Sequence, residues 1–99
     1  MWILRTVTDE LPEKTFRILT GTPRTIGRAT GADFIVDAAL VSRVHCRLTV
    51  LSGGELEVRD LESTNGTYVN GSRIETARLE AGDRLQVGRV ELVALRDAE

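Results

Sequence analysis

The sequence has 99 residues and a formal net charge of −2 at pH 7, which predicts one domain, residues 1–99, around a single core. The acidic balance argues against direct nucleic-acid binding and against a membrane-surface protein, since both classes are usually basic. Cys46 is the only cysteine, so an internal disulfide is excluded and an intracellular, reducing compartment is expected. No apolar run approaches the roughly 18 residues of a membrane span. A monomer is the default expectation.

Short apolar runs recur along the chain, separated by turn residues, and no long stretch has helical periodicity. In chain order we predict strands over residues 2–7, 15–19, 24–27, 34–36, 44–50, 55–60, 67–69, 84–87 and 90–95. Turns are predicted at residues 11–13, 21–23 and 81–83, where Gly or Pro accompanies polar residues. Many short strands with frequent turns indicate an all-β sandwich or barrel.

The clearest strand is residues 44–50, in which apolar and polar residues alternate. The even-numbered residues, from Val44 to Val50, should face the core, and the odd-numbered residues, including His45, should face away from it. Two hairpins are also predicted. Ser52-Gly53-Gly54 separates two alternating runs, and Asn70-Gly71 is the dipeptide favoured by a type I′ turn.

Catalytic chemistry has little support in this sequence. There is one histidine and one cysteine, and no spacing typical of metal ligands, so we expect no cofactor and no metal site. A small hydrolase using Ser42 and His45 remains an alternative. It would need a carboxylate and an oxyanion hole for which the sequence offers no context.

Anion binding is better supported, because donor groups lie next to predicted strands at three places. Arg28 comes directly after Gly27, and Ser42 and Arg43 precede strand 44–50. A polar turn at residues 63–66 contains Thr64 and Asn65. Guanidinium, hydroxyl and amide groups all donate hydrogen bonds to phosphate oxygens.

These segments, in this order, make the chain resemble forkhead-associated (FHA) domains. The matching motifs are Gly27-Arg28, Ser42-x-x-His45 and Asn65-Gly66-Thr67-x-Val69-Asn70-Gly71. The resemblance covers essentially the whole chain. It implies a β-sandwich of about eleven mostly antiparallel strands, whose apical loops bind phosphothreonine in a partner protein or peptide without catalysing a reaction.

The resemblance also implies roles for single residues. The residues expected to contact the phosphopeptide are Arg28, Ser42, Arg43, Thr64 and Asn65. The residues expected to shape and support the loops are Gly27, His45 and Gly66.

The sequence leaves the pathway open. Met1-Trp2 and residues 16–21 are similar to the start of nibrin, a DNA-break repair adaptor of this family, which would imply a DNA-damage response in the nucleus. The alternatives are a bacterial Ser/Thr-kinase signalling adaptor in the cytoplasm and a phosphate-independent docking domain. Phosphorylation of the chain itself at Thr6, Thr8 or Thr15 is a further alternative, although strand composition explains these threonines.

Overall fold

Eleven β-strands in two sheets make up the regular structure of the computed structural model, which describes residues 1–8 and 13–96. The strands are β1 Trp2–Thr6, β2 Thr15–Ile18, β3 Arg24–Gly27, β4 Phe34–Ile35, β5 Cys46–Val50, β6 Leu56–Asp60, β7 Thr67–Val69, β8 Ser72–Ile74, β9 Thr76–Leu79, β10 Arg84–Val87 and β11 Val90–Arg96. The predicted turn at residues 11–13 falls largely outside the described residues. Within the described ranges, no helix is long and apolar enough to cross a membrane.

The two sheets pack as a sandwich, which confirms the predicted fold class. One sheet has the strand order β2-β1-β11-β10-β7-β8, and the other has the order β4-β3-β5-β6-β9. Every pairing is antiparallel except that of β3 with β4. The largely apolar β11 lies between β1 and β10, inside its sheet.

The core lies between the sheets and consists of alternate side chains from both. Leu56 and Val58 of β6 are fully buried, as are Leu85 and Val87 of β10, so alternate residues of these strands face inward. Leu48 of β5 is fully buried too. Burial of a large aliphatic side chain contributes about 1.5–3 kcal/mol, which makes this layer the main source of stability.

The sheets are joined differently along their two sides. On one side the edge strands β2 and β4 are linked by Phe16 and Phe34, whose rings stack with centroids 4.6 Å apart. On the other side the chain passes from β8 to β9 through the single residue Glu75, whose carbonyl accepts a 2.8 Å hydrogen bond from the backbone N–H of Asp60. These links hold the two sheets together at both edges of the sandwich.

Both predicted hairpins form. Asn70 and Gly71 have φ values of 50° and 88°, as the central residues of a type I′ turn require, and they connect the paired residues Val69 and Ser72. The turn at residues 52–54 connects β5 to β6, and Leu51 N donates to Glu55 O at 2.8 Å across it.

The inward orientation predicted for Val44 is wrong. Val44 is 40% exposed, and β5 begins only at Cys46, because residues 43–45 form the end of the preceding loop. His45 lies on the side of the sheet away from the core, as alternation predicts, but it is 0% exposed. A loop from the neighbouring strand covers it, which alternation along one strand cannot reveal.

Candidate functional site

Three loops meet at one end of the sandwich: residues 28–33 after β3, residues 36–45 before β5, and residues 61–66 between β6 and β7. The first two are tied by a 2.9 Å hydrogen bond from Arg28 N to Ser42 O. Several hydrogen bonds tie the last two, and two of them lie at the top of the loops. Thr64 N donates to the hydroxyl oxygen of Ser42 at 3.1 Å, and Asn65 Nδ2 donates to Leu40 O at 3.0 Å.

These contacts surround a shallow pocket of about 360 Å³. Its lining residues are Arg28, Ala39, Leu40, Val41, Ser42, Thr64 and Asn65. The structure thus brings together four of the five residues predicted to contact a phosphopeptide, although they come from three separate segments. The fifth, Arg43, is exposed next to Ser42 and does not line the pocket.

Arg28 is held at the pocket by part of its guanidinium group. Its Nε donates to Val41 O at 2.9 Å, and the side chain is otherwise exposed. Within the described ranges, the two terminal amino groups have no protein acceptor, so they can donate to a ligand. The arginine is oriented by the protein before an anion arrives, which reduces the entropy that binding must remove.

Ser42 is also prepared to donate. Its hydroxyl oxygen accepts the Thr64 N–H bond, so the hydroxyl proton remains free for another acceptor. The Ser42 hydroxyl, with its proton free to donate, and the free amino groups of Arg28 face the same pocket. Both favour a multiply charged oxyanion as the ligand.

Gly27 allows the first two loops to approach each other closely. A Cβ atom at this position would collide with the backbone carbonyl of Arg43, so only glycine fits without a shift of the loop. The Gly27 carbonyl accepts a 2.8 Å hydrogen bond from Val36 N. The close contact thus places Arg28 beside Ser42.

His45 connects the second and third loops from beneath. Its Nδ1 accepts the backbone N–H of Ser42 at 3.0 Å, and its Nε2 lies 2.9 Å from Gly66 O. An N–H donor on one side and a carbonyl acceptor on the other assign the proton to Nε2. The buried ring therefore ties the backbone of Ser42 to that of Gly66.

The same contacts argue against the hydrolase alternative. A general base must accept the proton of the attacking hydroxyl, yet both ring nitrogens of His45 are bonded to backbone groups. The Ser42 hydroxyl is bonded to Thr64 N instead. The two side chains do not form a nucleophile–base pair.

Asp60 is a supporting residue that the sequence analysis missed. Its Oδ1 accepts from the Ser63 hydroxyl at 2.6 Å and from the Thr67 hydroxyl at 2.7 Å, and Ser63 Oγ in turn accepts from Gly66 N at 2.9 Å. Burial raises the pKa of Asp60, but the hydrogen bonds from Ser63 and Thr67 outweigh burial and hold this pKa below its ordinary value. An aspartate three residues before a serine at a strand end is a recognisable turn pattern.

Leu40 was also missed, and no pattern identifies it. Its φ of 73° lies in the left-handed region, which is uncommon for a branched side chain, and its carbonyl accepts from Asn65. A Cβ atom on Gly88, in the turn between β10 and β11, would lie 3.0 Å from Leu40 O. The turn before β11 therefore supports the pocket wall.

The three threonines considered as targets of self-phosphorylation differ in exposure. Thr6 is 5% exposed, and its hydroxyl oxygen accepts from Lys14 N at 2.8 Å. Thr8 Oγ1 accepts from Glu91 N at 2.8 Å, whereas Thr15 is exposed. Burial of Thr6 leaves it inaccessible to a kinase.

Comparison with known proteins identifies the family. The family model described as "FHA domain" matches residues 24–88, which include all three loops of the pocket. The ABC transporter ATP-binding/permease protein Rv1747 of Mycobacterium tuberculosis is 41% identical over 87 residues, which are 88% of this chain and 9% of that protein. The glycogen accumulation regulator GarA of Mycolicibacterium smegmatis is 41% identical over 85% of this chain and 53% of its own length. The chain thus spans from about a tenth to about half of these relatives.

Solved structures agree with this assignment. The FhaA FHA domain complexed with the intracellular domain of Rv3910 has a TM-score of 0.85 and 30% identity, with 95% of this chain and 99% of that chain covered. A structure described as an analysis of phosphothreonine-dependent FHA domain interactions has a TM-score of 0.84 and 28% identity, over 99% and 98% of the two chains. The FHA domain of CT664 from Chlamydia trachomatis has a TM-score of 0.91 at 21% identity, covers 98% of each chain, and supports the fold alone.

Proposed function

Since this chain belongs to the FHA domain family, we propose that it is a non-catalytic module that binds phosphothreonine in a partner protein or peptide. One observation carries the proposal. Arg28, Ser42, Thr64 and Asn65 come from three loops and line a single pocket. The related structure that is described as an analysis of phosphothreonine-dependent FHA domain interactions supports the choice of ligand.

The chemistry of the pocket matches the proposed ligand. A phosphothreonine carries about −1.5 to −2 charges and three strong acceptor oxygens at neutral pH. The free amino groups of Arg28 and the hydroxyl proton of Ser42 would bond these oxygens. Ala39, Leu40 and Val41 supply an apolar wall that the threonine methyl group would contact.

We further propose a role in bacterial signalling. The relatives include GarA, an ABC transporter protein and the oxoglutarate dehydrogenase inhibitor of Corynebacterium glutamicum, which is 39% identical over 72% of this chain. Most of them are named as regulators or inhibitors and all are bacterial, which favours the kinase-signalling adaptor and a cytoplasmic location. The nibrin-like assignment, with its nuclear DNA-damage role, has no support among these relatives.

Binding of phosphopeptides tests the proposal directly. A phosphothreonine peptide library, treated or not treated with phosphatase, would select a ligand, and titration would then give its affinity. We expect the Arg28→Ala protein to bind this peptide roughly ten- to a hundredfold more weakly, since hydrogen bonds to a charged group contribute about 1.5–3 kcal/mol. The unphosphorylated peptide should bind barely at all.

A matched control separates the pocket from general charge effects. Arg17 is exposed on β2, in the other sheet, and does not line the pocket, so Arg17→Ala removes the same charge outside it. This variant should bind like the wild type. Unchanged affinity of a folded Arg28→Ala protein would refute the proposal, and phosphatase-resistant binding would favour the phosphate-independent docking domain.

A further inference from the structure

A pair of arginines faces outward from the five-stranded sheet, directly below the candidate site. Arg47 of β5 and Arg59 of β6 are paired residues in the antiparallel ladder. Their Cβ atoms are therefore about 4.5–5.5 Å apart, and like charges directly opposite each other in a ladder are unfavourable. Thr25 and Thr76 continue the same row on the flanking strands, and the Asp33 carboxylate beyond Thr25 is bonded to Thr25 itself.

A third arginine approaches from the other sheet. Arg73 of β8 and Arg59 both line a concavity of about 780 Å³. The guanidinium of Arg73 lies against Gly66, where a Cβ atom would be 2.8 Å from its Nε. The absence of a side chain at Gly66 thus gives Arg73 room to lie over the loop between β6 and β7.

The acidic residues nearby form no ion pair with these arginines. Both carboxylate oxygens of Asp60 are bonded to Ser63, and one of them also to Thr67. Glu62 and Glu75 line the concavity, but across residues 1–8 and 13–96 no carboxylate lies within 4.0 Å of a nitrogen of Arg47, Arg59 or Arg73. By contrast, Arg24 and Arg78 of the same sheet have Asp33 and Glu55 as ion-pair partners.

The concavity and the candidate pocket share one loop. Ser63 lines the concavity, and its chain neighbours Thr64 and Asn65 line the pocket. A ligand that crosses this loop would leave the candidate pocket and enter the concavity. Two or three extended residues span about 7–10 Å, which is sufficient for this step.

We propose that Arg47, Arg59 and Arg73 form a second contact surface, which binds an acidic segment of the same partner, a few residues from its phosphothreonine. This proposal rests on the proposed function, because the phosphothreonine places the segment. The acidic segment supplies the carboxylate partners that the three arginines do not have within the described part of the protein. This second contact surface extends recognition of the partner beyond the apical pocket onto the outer face of the five-stranded sheet.

The test compares extended peptides on the wild type and on an Arg47→Gln/Arg59→Gln protein. A short phosphothreonine peptide with neutral flanks is extended by three Glu, three Gln or three Lys residues, in separate peptides on the amino-terminal and carboxyl-terminal sides. For one side, we expect the Glu peptide to bind the wild type roughly three- to tenfold more tightly than its Gln twin. This gain should shrink as salt is raised, and it should disappear in the Arg47→Gln/Arg59→Gln protein.

The control protein is Arg17→Gln/Arg84→Gln, which removes two charges from the six-stranded sheet and should keep the gain. The surface is refuted if neither Glu peptide exceeds its Gln twin, if a Lys peptide binds more tightly, or if both double variants lose the gain equally. Failure of the short peptide to bind the wild type would refute the proposed function and this surface together. Binding of the short peptide without an effect of the extensions would refute the surface alone.

Discussion

The apex of the sandwich contains two layers that differ in exposure and in hydrogen bonding. The upper layer, here called the rim, contains the residues predicted to contact the ligand: Arg28, Ser42, Arg43, Thr64 and Asn65. The lower layer, here called the brace, contains Gly27, His45, Asp60, Ser63, Gly66 and Thr67. The rim is exposed or half-buried and keeps free donors, whereas the brace is mostly buried.

The difference between the layers separates binding from stability. In the described part of the chain, every buried side-chain nitrogen or oxygen has a hydrogen-bond partner, so the polar groups of the brace are fully satisfied within the protein. Their loss should destabilise the fold. The free donors of the rim add little to the fold, so loss of Arg28 should reduce affinity more than stability, although its Nε bond to Val41 O is lost as well.

The largest expected loss of stability comes from the substitution His45→Ala. It leaves the Ser42 N–H and the Gly66 carbonyl without their buried partner and opens a cavity, so the free energy of unfolding should fall by about 3–5 kcal/mol. Phosphopeptide affinity should fall as well, because the second and third loops lose their connection. Urea unfolding and peptide titration measure the two effects. A loss of stability below about 1 kcal/mol would remove the distinction between rim and brace.

Gly27→Ala should lower the free energy of unfolding by a smaller amount, because the effect comes from one close contact between two loops. The added methyl group meets the Arg43 carbonyl, so the loops must separate, at an expected cost of about 2–3 kcal/mol. Gly31→Ala is the matched control, because a Cβ atom there has nothing within 4 Å. It should change stability by less than about 0.5 kcal/mol. Equal effects of the two substitutions in thermal unfolding would contradict the close contact at Gly27.

The smallest expected effect comes from Asp60→Asn, and it depends on pH. Because the folded-state pKa of Asp60 is lowered, its carboxylate contributes stability that is fully present above the ordinary value of about 3.9 and is lost as the pH falls through the lower folded value. At pH 7 the variant should be about 1–2 kcal/mol less stable than the wild type. Urea unfolding from pH 7 to pH 3 should show this difference shrinking below about pH 4. A difference that stays constant with pH would contradict the role of the charge.

Much of the fold could be predicted from local patterns. The bounds of β3, β7 and β10 agree with the predicted ranges, since apolar alternation and Gly or Asn turns mark their ends. The strands β8 and β9 had no predicted bounds. Their sequences, SRI and TARL, lie at sheet edges and are mostly exposed, so each offers only one or two apolar residues, too few to mark a strand.

The site was predicted less completely than the fold. Motif order named Arg28, Ser42, Thr64 and Asn65, which do share one pocket, but their roles in binding stay predictions until ligands are titrated. The backbone of Leu40 could not be predicted, because its left-handed φ is imposed by loops that meet only in three dimensions. Similarly, burial of His45 depends on a loop that begins 16 residues later in the chain, after Asp60.

The hydrogen bonds of His45 have a consequence for the evolution of new specificities. They hold the backbone N–H of Ser42 and the backbone carbonyl of Gly66, and they involve no side chain of the rim. Side chains at positions 43 and 64 can therefore be exchanged while the loops keep their shape. A library randomised at Arg43 and Thr64 should yield mostly folded proteins, from which altered ligand preferences can be selected without repairing the scaffold.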